Sequence, residues 1–545
     1  MLVAGDGGKH NRSTLLGTWR APWCALVVLA LAMGGCMVGP DYHTPTAPTA
    51  PHWLDAHSEQ VETTGQAPQR WWMVFGDAAL DTLVETAYKQ NLPLQAAGLR
   101  VIAAQARRGI AIGGLFPQTQ EASGSYTRTR SSLNEGFAVQ PSRDFNSYRA
   151  GFDAAWELDF WGRFRRAIEA ADADLLASVA DYDDVLVSLV AEVAATYVNI
   201  RVLEERLALA HENARIQRDS LDIASVRYAA GGTSELDVQQ ATTLLEDTEA
   251  DIPEIQIQLR QALDSLSVLL GIPPADLTDI LSNSSGIPAP PPTVAVGVPA
   301  DLLERRPDVQ RAERQLAAQS ARIGIAVSDL LPHIQLVGSV GLSAEQAALF
   351  FEGRSFEGIG GPQFNWPILN YGRIINGVRV QDATFQELVT NYANTVLVAQ
   401  QEVEDAVVGY VRGADEVMHL ERSVAAANRA VELSLVQYRE GAADYTRVLN
   451  SEQSKIAADR RLTANRGAVT TSAIALYKAL GGGWEVREGN DFVPDDTQRE
   501  MRARTRWGGM LGTQAQTQDV QAAAAGTEGD RSWGFLRWRW WWPHW

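Results

Sequence analysis

The chain has 545 residues, with 47 Lys and Arg against 66 Asp and Glu, a formal net charge of -19 and a pI near 4.9. That balance excludes nucleic acid as a partner, because nucleic-acid binding needs a basic face. The only cysteines are Cys24 and Cys36, so no disulfide framework organises the fold.

The first predicted element, residues 1–35, is a secretory signal. Lys9, Arg12 and Arg20 precede an apolar run from Ala25 to Met33 that is too short to span a bilayer and ends in Gly34, Gly35 and Cys36. The tetrapeptide "MGGC" resembles a bacterial lipobox, which makes Cys36 the expected lipidated first residue of the mature chain. Met37, standing where an aspartate would retain such a lipoprotein, implies sorting to the outer membrane. The competing reading is that Cys36 is simply a small residue in a hydrophobic segment. Residues 36–80 then read as an anchored N-terminal segment, of which the Pro/Thr-rich stretch "PDYHTPTAPTAPHW" is a tether with no core.

Residues 81–280 form a first repeat. Within it, Tyr148, Ala150, Phe152, Ala154, Trp156 and Leu158 alternate with Ser147, Arg149, Gly151, Asp153, Ala155 and Glu157. Strict alternation of this length is the signature of a transmembrane barrel strand, with lipid on one side and water on the other. The expected strands cover residues 118–130 and 147–160, joined by a polar loop from Asn134 to Asp144. An amphipathic hairpin packed on a soluble core would show the same pattern.

Gly162 and Gly231 then bracket sixty-eight residues that contain neither glycine nor proline. A helix over 162–228 is about 100 Å long at 1.5 Å per residue. Its apolar stripe runs from Phe164 through Leu175, Leu186 and Tyr197 to Ala210 with a period of about 3.5, that of a supercoiled seam. The pattern repeats. "WELDFWGR" from Trp156 falls on "WPILNYGR" from Trp366 at an offset of 210 residues, as Tyr228 does on Tyr438 and Gly231 on Gly441. "GIAIGGLFP" from Gly109 matches "GIAVSDLLP" from Gly324 at an offset of 215.

A Pro-rich linker at 281–300 leads to the second repeat, 301–482, with strands over 333–343 and 356–368 and a long helix over 372–438. Four strands in one chain cannot close a barrel, and open edges are not tolerated in lipid, so strands that enter a membrane must be shared among several chains. "GIGGPQ" from Gly358 lies inside the last strand pattern and opens no helix. The eight histidines form no metal motif and no phosphate loop appears, so neither an enzyme nor a cofactor is expected. Residues 483–545 read as a disordered tail closing on "RWRWWWPHW".

From Cys36 to Trp484 the chain resembles the TolC-like outer-membrane factors, specifically the lipoprotein branch of the multidrug efflux channels. The carrying motifs are "CMVGPDYHTP" from Cys36, "RWWMVFGDAALDTLVETAYKQNLPL" from Arg70 and "WELDFWGRFRR" from Trp156. "YAAGGTSELDV" from Tyr228, "LLERRPDVQRAERQLAAQSARIGIAVSDLLP" from Leu302 and "ALGGGW" from Ala479 complete them. The resemblance implies a homotrimer in the outer membrane of a Gram-negative bacterium. In it, duplicated helical hairpins form a periplasmic tunnel and four strands per chain build a twelve-stranded β-barrel. It further implies a passive exit duct for small molecules, served by a periplasmic adaptor and an inner-membrane pump, with covalent lipid on Cys36 and no cofactor. An exit duct for secreted polypeptides is the alternative within the fold, and a periplasmic coiled-coil adaptor is the alternative outside it. Helix pairs made of two pieces are expected at Asp81 to Leu115 and Asp301 to Leu331. The closed end is expected at the helical turns Gly231, Gly232 and Gly441, with Asp237, Asp444, Arg447 and Asn450 around the aperture. Asp237 and Arg447 are equivalent across the repeat, and pairing between neighbouring hairpins is the expected contact. Ser234 and Asp237 also have the spacing of a helix N-cap and the acid three residues on.

Overall fold

The computed structural model of the protein describes residues 37–63, 68–132 and 144–511. The signal, Cys36, most of the expected polar loop and the Trp/Arg-rich terminus lie outside the described residues. In chain order the elements are β1 (Val61–Glu62), α1 (Ala78–Gln90), α2 (Leu92–Gly113), β2 (Thr119–Arg130), β3 (Asp144–Glu157), α3 (Arg163–Ala229) and α4 (Glu235–Leu269). Then come β4 (Val294–Ala295), α5 (Pro307–Ser328), β5 (His333–Ala344), β6 (Phe356–Asn365), α6 (Arg373–Arg439), α7 (Tyr445–Ala479) and α8 (Asp495–Arg504). Two compact units result, one built on Arg107–Ala173 and Leu316–Glu387 with the chain up to His43, the other on Thr44–Ala106, Asp174–Gln315 and the chain from Leu388.

The first unit holds one antiparallel sheet in the order β2-β3-β5-β6. Its register sets Tyr126 against Tyr148, Phe152 between Ala122 and Val340, and Trp156 against Leu336. Because strand side chains alternate, these residues share one apolar face, while Glu121, Arg149 and Asp153 share the other. Tyr126 and Tyr148 meet with ring centroids 4.9 Å apart. They lie about 26 Å along the strand from Trp156, or about 20 Å after strand tilt, close to the height of an apolar membrane band. β3 begins at Asp144 and ends at Glu157, not at 160, and β6 stops at Asn365 instead of reaching 368. β6 ends where its partner does, since Asn365 pairs with His333, the first residue of β5.

The strand-to-helix joint is shaped by Gly162, at φ 80, and by Asp159. The Asp159 carboxylate accepts from Phe164 N at 2.9 Å and Arg165 N at 3.0 Å, satisfying two free amides of the first turn of α3. The chain just beyond Cys36 is fixed at this joint. Val38 N donates to Trp161 O at 3.1 Å, and Arg166, 2% exposed, donates to Val38 O at 3.2 Å and pairs with Asp41 at 3.0 Å.

The second unit carries the helical hairpins α3–α4 and α6–α7. The predicted stripe is the core of α3: Leu175, Val179, Tyr182, Leu186, Val193, Tyr197 and Ile200 are buried. A window of α3 reaches a mean hydropathy of 1.6, apolar enough to cross a membrane by composition, but 61% of it is buried inside the protein. Unlike the first long segment, α6 contains glycines. Gly409 and Gly413 let α7 approach, since a Cβ there would stand 2.8 Å from Ser472 Oγ and 2.6 Å from Val469 Cγ2.

Two expectations need correction here, the coreless tether and the disordered tail. The tether does have a core: Trp53 is buried and its indole N–H donates to Gly297 O at 3.1 Å, while Gln400 binds Ala50 N at 2.7 Å. The linker is ordered where β4 pairs in parallel with β1 and where Thr470 donates to Pro288 O at 2.9 Å. The second two-piece helix pair is unequal, a single turn at Leu302–Arg305 followed by α5, because Pro307 starts a new helix. The described part of the tail, 483–511, is packed on the protein, with Phe492, Val493, Met501 and Leu511 buried. Arg487 clamps the start of this segment to Asp183 on α3 at 2.6 Å, with both side chains largely buried.

Candidate functional site at the hairpin tips

Both long helices end in the same way. Gly231 and Gly441 each adopt φ 76, the left-handed conformation that favours glycine. Gly232 N then donates to Arg227 O and Ala442 N to Gln437 O, each at 2.8 Å, closing two Schellman turns. The repeat thus dictates two equal tips. Their next residues differ. Asp444 caps α7, its carboxylate accepting from Arg447 N at 3.4 Å. Ser234, its equivalent, sits at the N-cap of α4 but its side chain makes no capping bond, so the expected Ser234 cap is not formed.

Asp237 is turned toward the other hairpin. Its carboxylate accepts from the Thr233 hydroxyl and from Tyr438 Oη at 3.2 Å. Arg227 reaches across from α3, donates to Tyr438 O and to Gly232 O at 3.2 Å, and stacks 4.6 Å from the Tyr438 ring. A planar guanidinium over an aromatic face is a cation–π contact of about 0.5–2 kcal/mol. Tyr438 packs edge-on against Tyr445 at 5.4 Å, within a small core of Ala224, Ala241 and Val448. Burial raises the Tyr438 hydroxyl above its ordinary pKa, with Thr233 opposing and the Asp237 charge adding to the shift. It is therefore a neutral donor to Asp237 across the physiological range. A polar cleft of about 460 Å³ opens beside this knot, lined by Arg227, Thr233, Asp237, Tyr438 and Asp444 among others.

The structure therefore brings together Gly232, Gly441, Asp237 and Asp444, and places Arg447 and Asn450 exposed on α7. Among the described residues of one chain, Asp237 bonds to Tyr438 and forms no ion pair with Arg447. Arg227 and Tyr438 were not singled out from the sequence. Tyr438 showed only as the repeat mate of Tyr228, and the signal that separates them is context. Arg227 precedes Tyr228, whereas Gln437 precedes Tyr438, and Tyr228 is 46% exposed where Tyr438 is buried.

A family described as outer membrane efflux protein matches residues 83–272 and 298–482. The toluene efflux pump outer membrane protein TtgC of Pseudomonas putida is 32% identical over 471 residues, 85% of this chain and 96% of that protein. Nodulation protein T of Rhizobium leguminosarum bv. viciae is 30% identical over 461 residues, 84% of this chain and 93% of the relative. The outer-membrane channel OprN superposes with a TM-score of 0.77 at 31% identity, covering 83% of this chain and all of that one. Such channels are trimers of a helical tunnel and a β-barrel, which supplies the closure that four strands of one chain lack. The duplicated hairpins, the alternating strands and these likenesses lead to one conclusion: the chain belongs to the outer membrane efflux protein family and is an outer-membrane exit duct of an efflux system.

Proposed function

We propose that the protein is the passive member of a tripartite system that expels small molecules. In this reading an inner-membrane pump supplies the energy, a periplasmic adaptor engages the hairpins, and the channel needs neither catalytic group nor cofactor. The observation that supports the reading is the pair of matched glycine turns, linked through Arg227, Tyr438 and Asp237 at the ends of two very long hairpins. Deleting the protein should sensitise the cell to small toxic compounds, and protein secretion should be unaffected. Loss of a secreted polypeptide with unchanged compound tolerance would favour the polypeptide duct.

The tip is the proposed gate. Tyr438→Phe removes one hydrogen bond to Asp237 and leaves the packing, a loss of about 0.5–1.5 kcal/mol per chain. Closed-state conductance in planar bilayers is expected to rise several-fold. Arg447 is proposed to reach Asp237 of a neighbouring protomer, a partly exposed pair contributing about 0–1 kcal/mol. Arg447→Ala is therefore expected to raise conductance less than Tyr438→Phe, and no change at all would remove Arg447 from the gate.

Lipid on Cys36 is proposed as the membrane anchor, supported by the clamp that Arg166 places on the residues that follow it. Cys36→Ala is expected to abolish incorporation of labelled palmitate. Label retained in that variant would place the lipid elsewhere.

A further inference from the structure

Above the tips, the interface between α3 and α7 is polar where a coiled-coil seam is ordinarily apolar. The buried positions of α7 follow seam spacing: Tyr445, Val448, Glu452, Lys455, Asp459 and Leu462. Contacts fix the register against α3. Ser220 Oγ donates to Tyr445 Oη at 3.3 Å, and Lys455 Nζ donates to Asn213 Oδ1 at 2.7 Å. Thr463 Oγ1 donates to Glu205 at 3.1 Å farther along. Between the first two rungs lie Glu452 on α7 and Gln217 on α3, each 2% exposed. Among the described residues, neither oxygen of Glu452 and neither polar atom of the Gln217 amide has a hydrogen-bond partner. Buried polar atoms are rarely left so, because each then loses its hydration with nothing in exchange.

No nearby charge offsets a carboxylate at this position. Lys455 is engaged by Asp459 at 2.6 Å as well as by Asn213. On α4, Glu249 and Asp251 are held by Arg218 and Arg460. On α6, which runs antiparallel to α7, the charges level with Glu452 are Arg429 and Glu432, and they hold each other at 2.6 Å. Toward the tip, its buried neighbours on the seam are the neutral Tyr445 and Ser220.

We propose that Glu452 and Gln217 form a proton-binding site whose occupancy fastens α7 to α3. A carboxylate can only accept, and Gln217 then retains an acceptor with no donor in reach. A protonated Glu452 supplies that donor to Gln217 Oε1 and accepts from the amide NH₂ in return, so both side chains are satisfied at once. Burial pushes the Glu452 carboxyl up to about 7, with a weaker opposing pull from the nearby Ser220 hydroxyl, whose single proton is given to Tyr445 Oη and not to the carboxylate. The folded pKa lies above the value of 4.5 for a free glutamate, so the packed state binds the extra proton. The stabilisation is full below about pH 4.5 and is lost as the pH rises through about 7. Acidification of the periplasm tightens this interface, and neutral or alkaline conditions loosen it. The proposal concerns helix packing and does not depend on the tip being the gate.

The test is hydrogen–deuterium exchange of the full-length trimer in detergent at about pH 5.5 and about pH 8, corrected for intrinsic exchange, read on peptides covering residues 210–224 and 445–463. Wild-type opening in those peptides is expected to increase on the order of tenfold at the higher pH. In Glu452→Gln, an amide of the same shape that cannot ionise, that response is expected to vanish and protection to stay high. An equal pH response in Glu452→Gln would assign the effect to another group and overturn the proposal. So would a wild-type channel with no response, a result that needs no variant to fold. Conductance recorded at the same two pH values keeps the two readings apart: packing that responds without a change in conductance upholds the proton site, while the gate at the tip stands or falls with the Tyr438→Phe recording.

Discussion

Replacing Arg487 with methionine is expected to destabilise the second unit by about 3–5 kcal/mol, the cost of leaving a buried charge without its partner. The guanidinium meets Asp183 through two bonds, at 2.6 and 3.0 Å, and Asp183 is almost wholly enclosed. Arg487 also lies 5.2 Å from the Phe492 ring and 5.9 Å from Trp484, so it organises the segment that follows α7. Thermal unfolding of the purified trimer should shift down by several degrees, and limited proteolysis should begin to cut between residues 484 and 511. The double variant Asp183→Leu with Arg487→Met should recover much of the loss, because it removes both charges together. A single variant as stable as wild type would show that the carboxylate is solvated in the channel.

Trp71→Ala is expected to cost about 3–5 kcal/mol, through lost burial and the cavity left behind. Trp71 is fully buried, stacks on Tyr477 of α7 at 5.4 Å and meets Trp72 and Phe75 edge-on. Its indole N–H donates to Gly482 O at 3.3 Å. The same tryptophan therefore holds the end of the second repeat to the segment before the first. Trp71→Phe keeps the stacking and loses the hydrogen bond, and should cost less than half as much. Denaturation of the wild type and the two variants side by side, scored by trimer survival, decides between packing and hydrogen bonding as the main contribution.

Much of the architecture was legible because it is periodic. Alternation at Tyr148 to Leu158 and a period of about 3.5 from Phe164 to Ala210 each mark one face of one element, and the 210-residue offset copies both. The glycine turns were legible for a local reason, since a left-handed residue between two helices favours glycine. Other features are set by partners remote in sequence. Nothing near Asp237 announces that Tyr438, 201 residues away, will donate to it. Ser234 has the spacing of a cap and makes no capping bond, because spacing describes what a side chain can reach, not what it chooses. Trp53 looked like part of a tether because its neighbours are Pro and Thr, while its buried site is formed around Gly297. Glu452 was legible in principle: it falls on the seam positions of α7, where a charged residue is out of place.

The contacts that complete the second unit join residues far apart in sequence: Val61 with Val294, Trp71 with Gly482 and Asp183 with Arg487. A chain that crosses the inner membrane N-terminus first presents Trp71 and Trp72 to the periplasm long before Gly482 arrives. The unit cannot be finished during export, and loop closures of this length make its folding slow. Throughout that wait its aromatic residues and both long apolar stripes stand open to association with other chains. The topology that joins the two repeats into one unit therefore also leaves the nascent protein exposed until Gly482 and Arg487 are through.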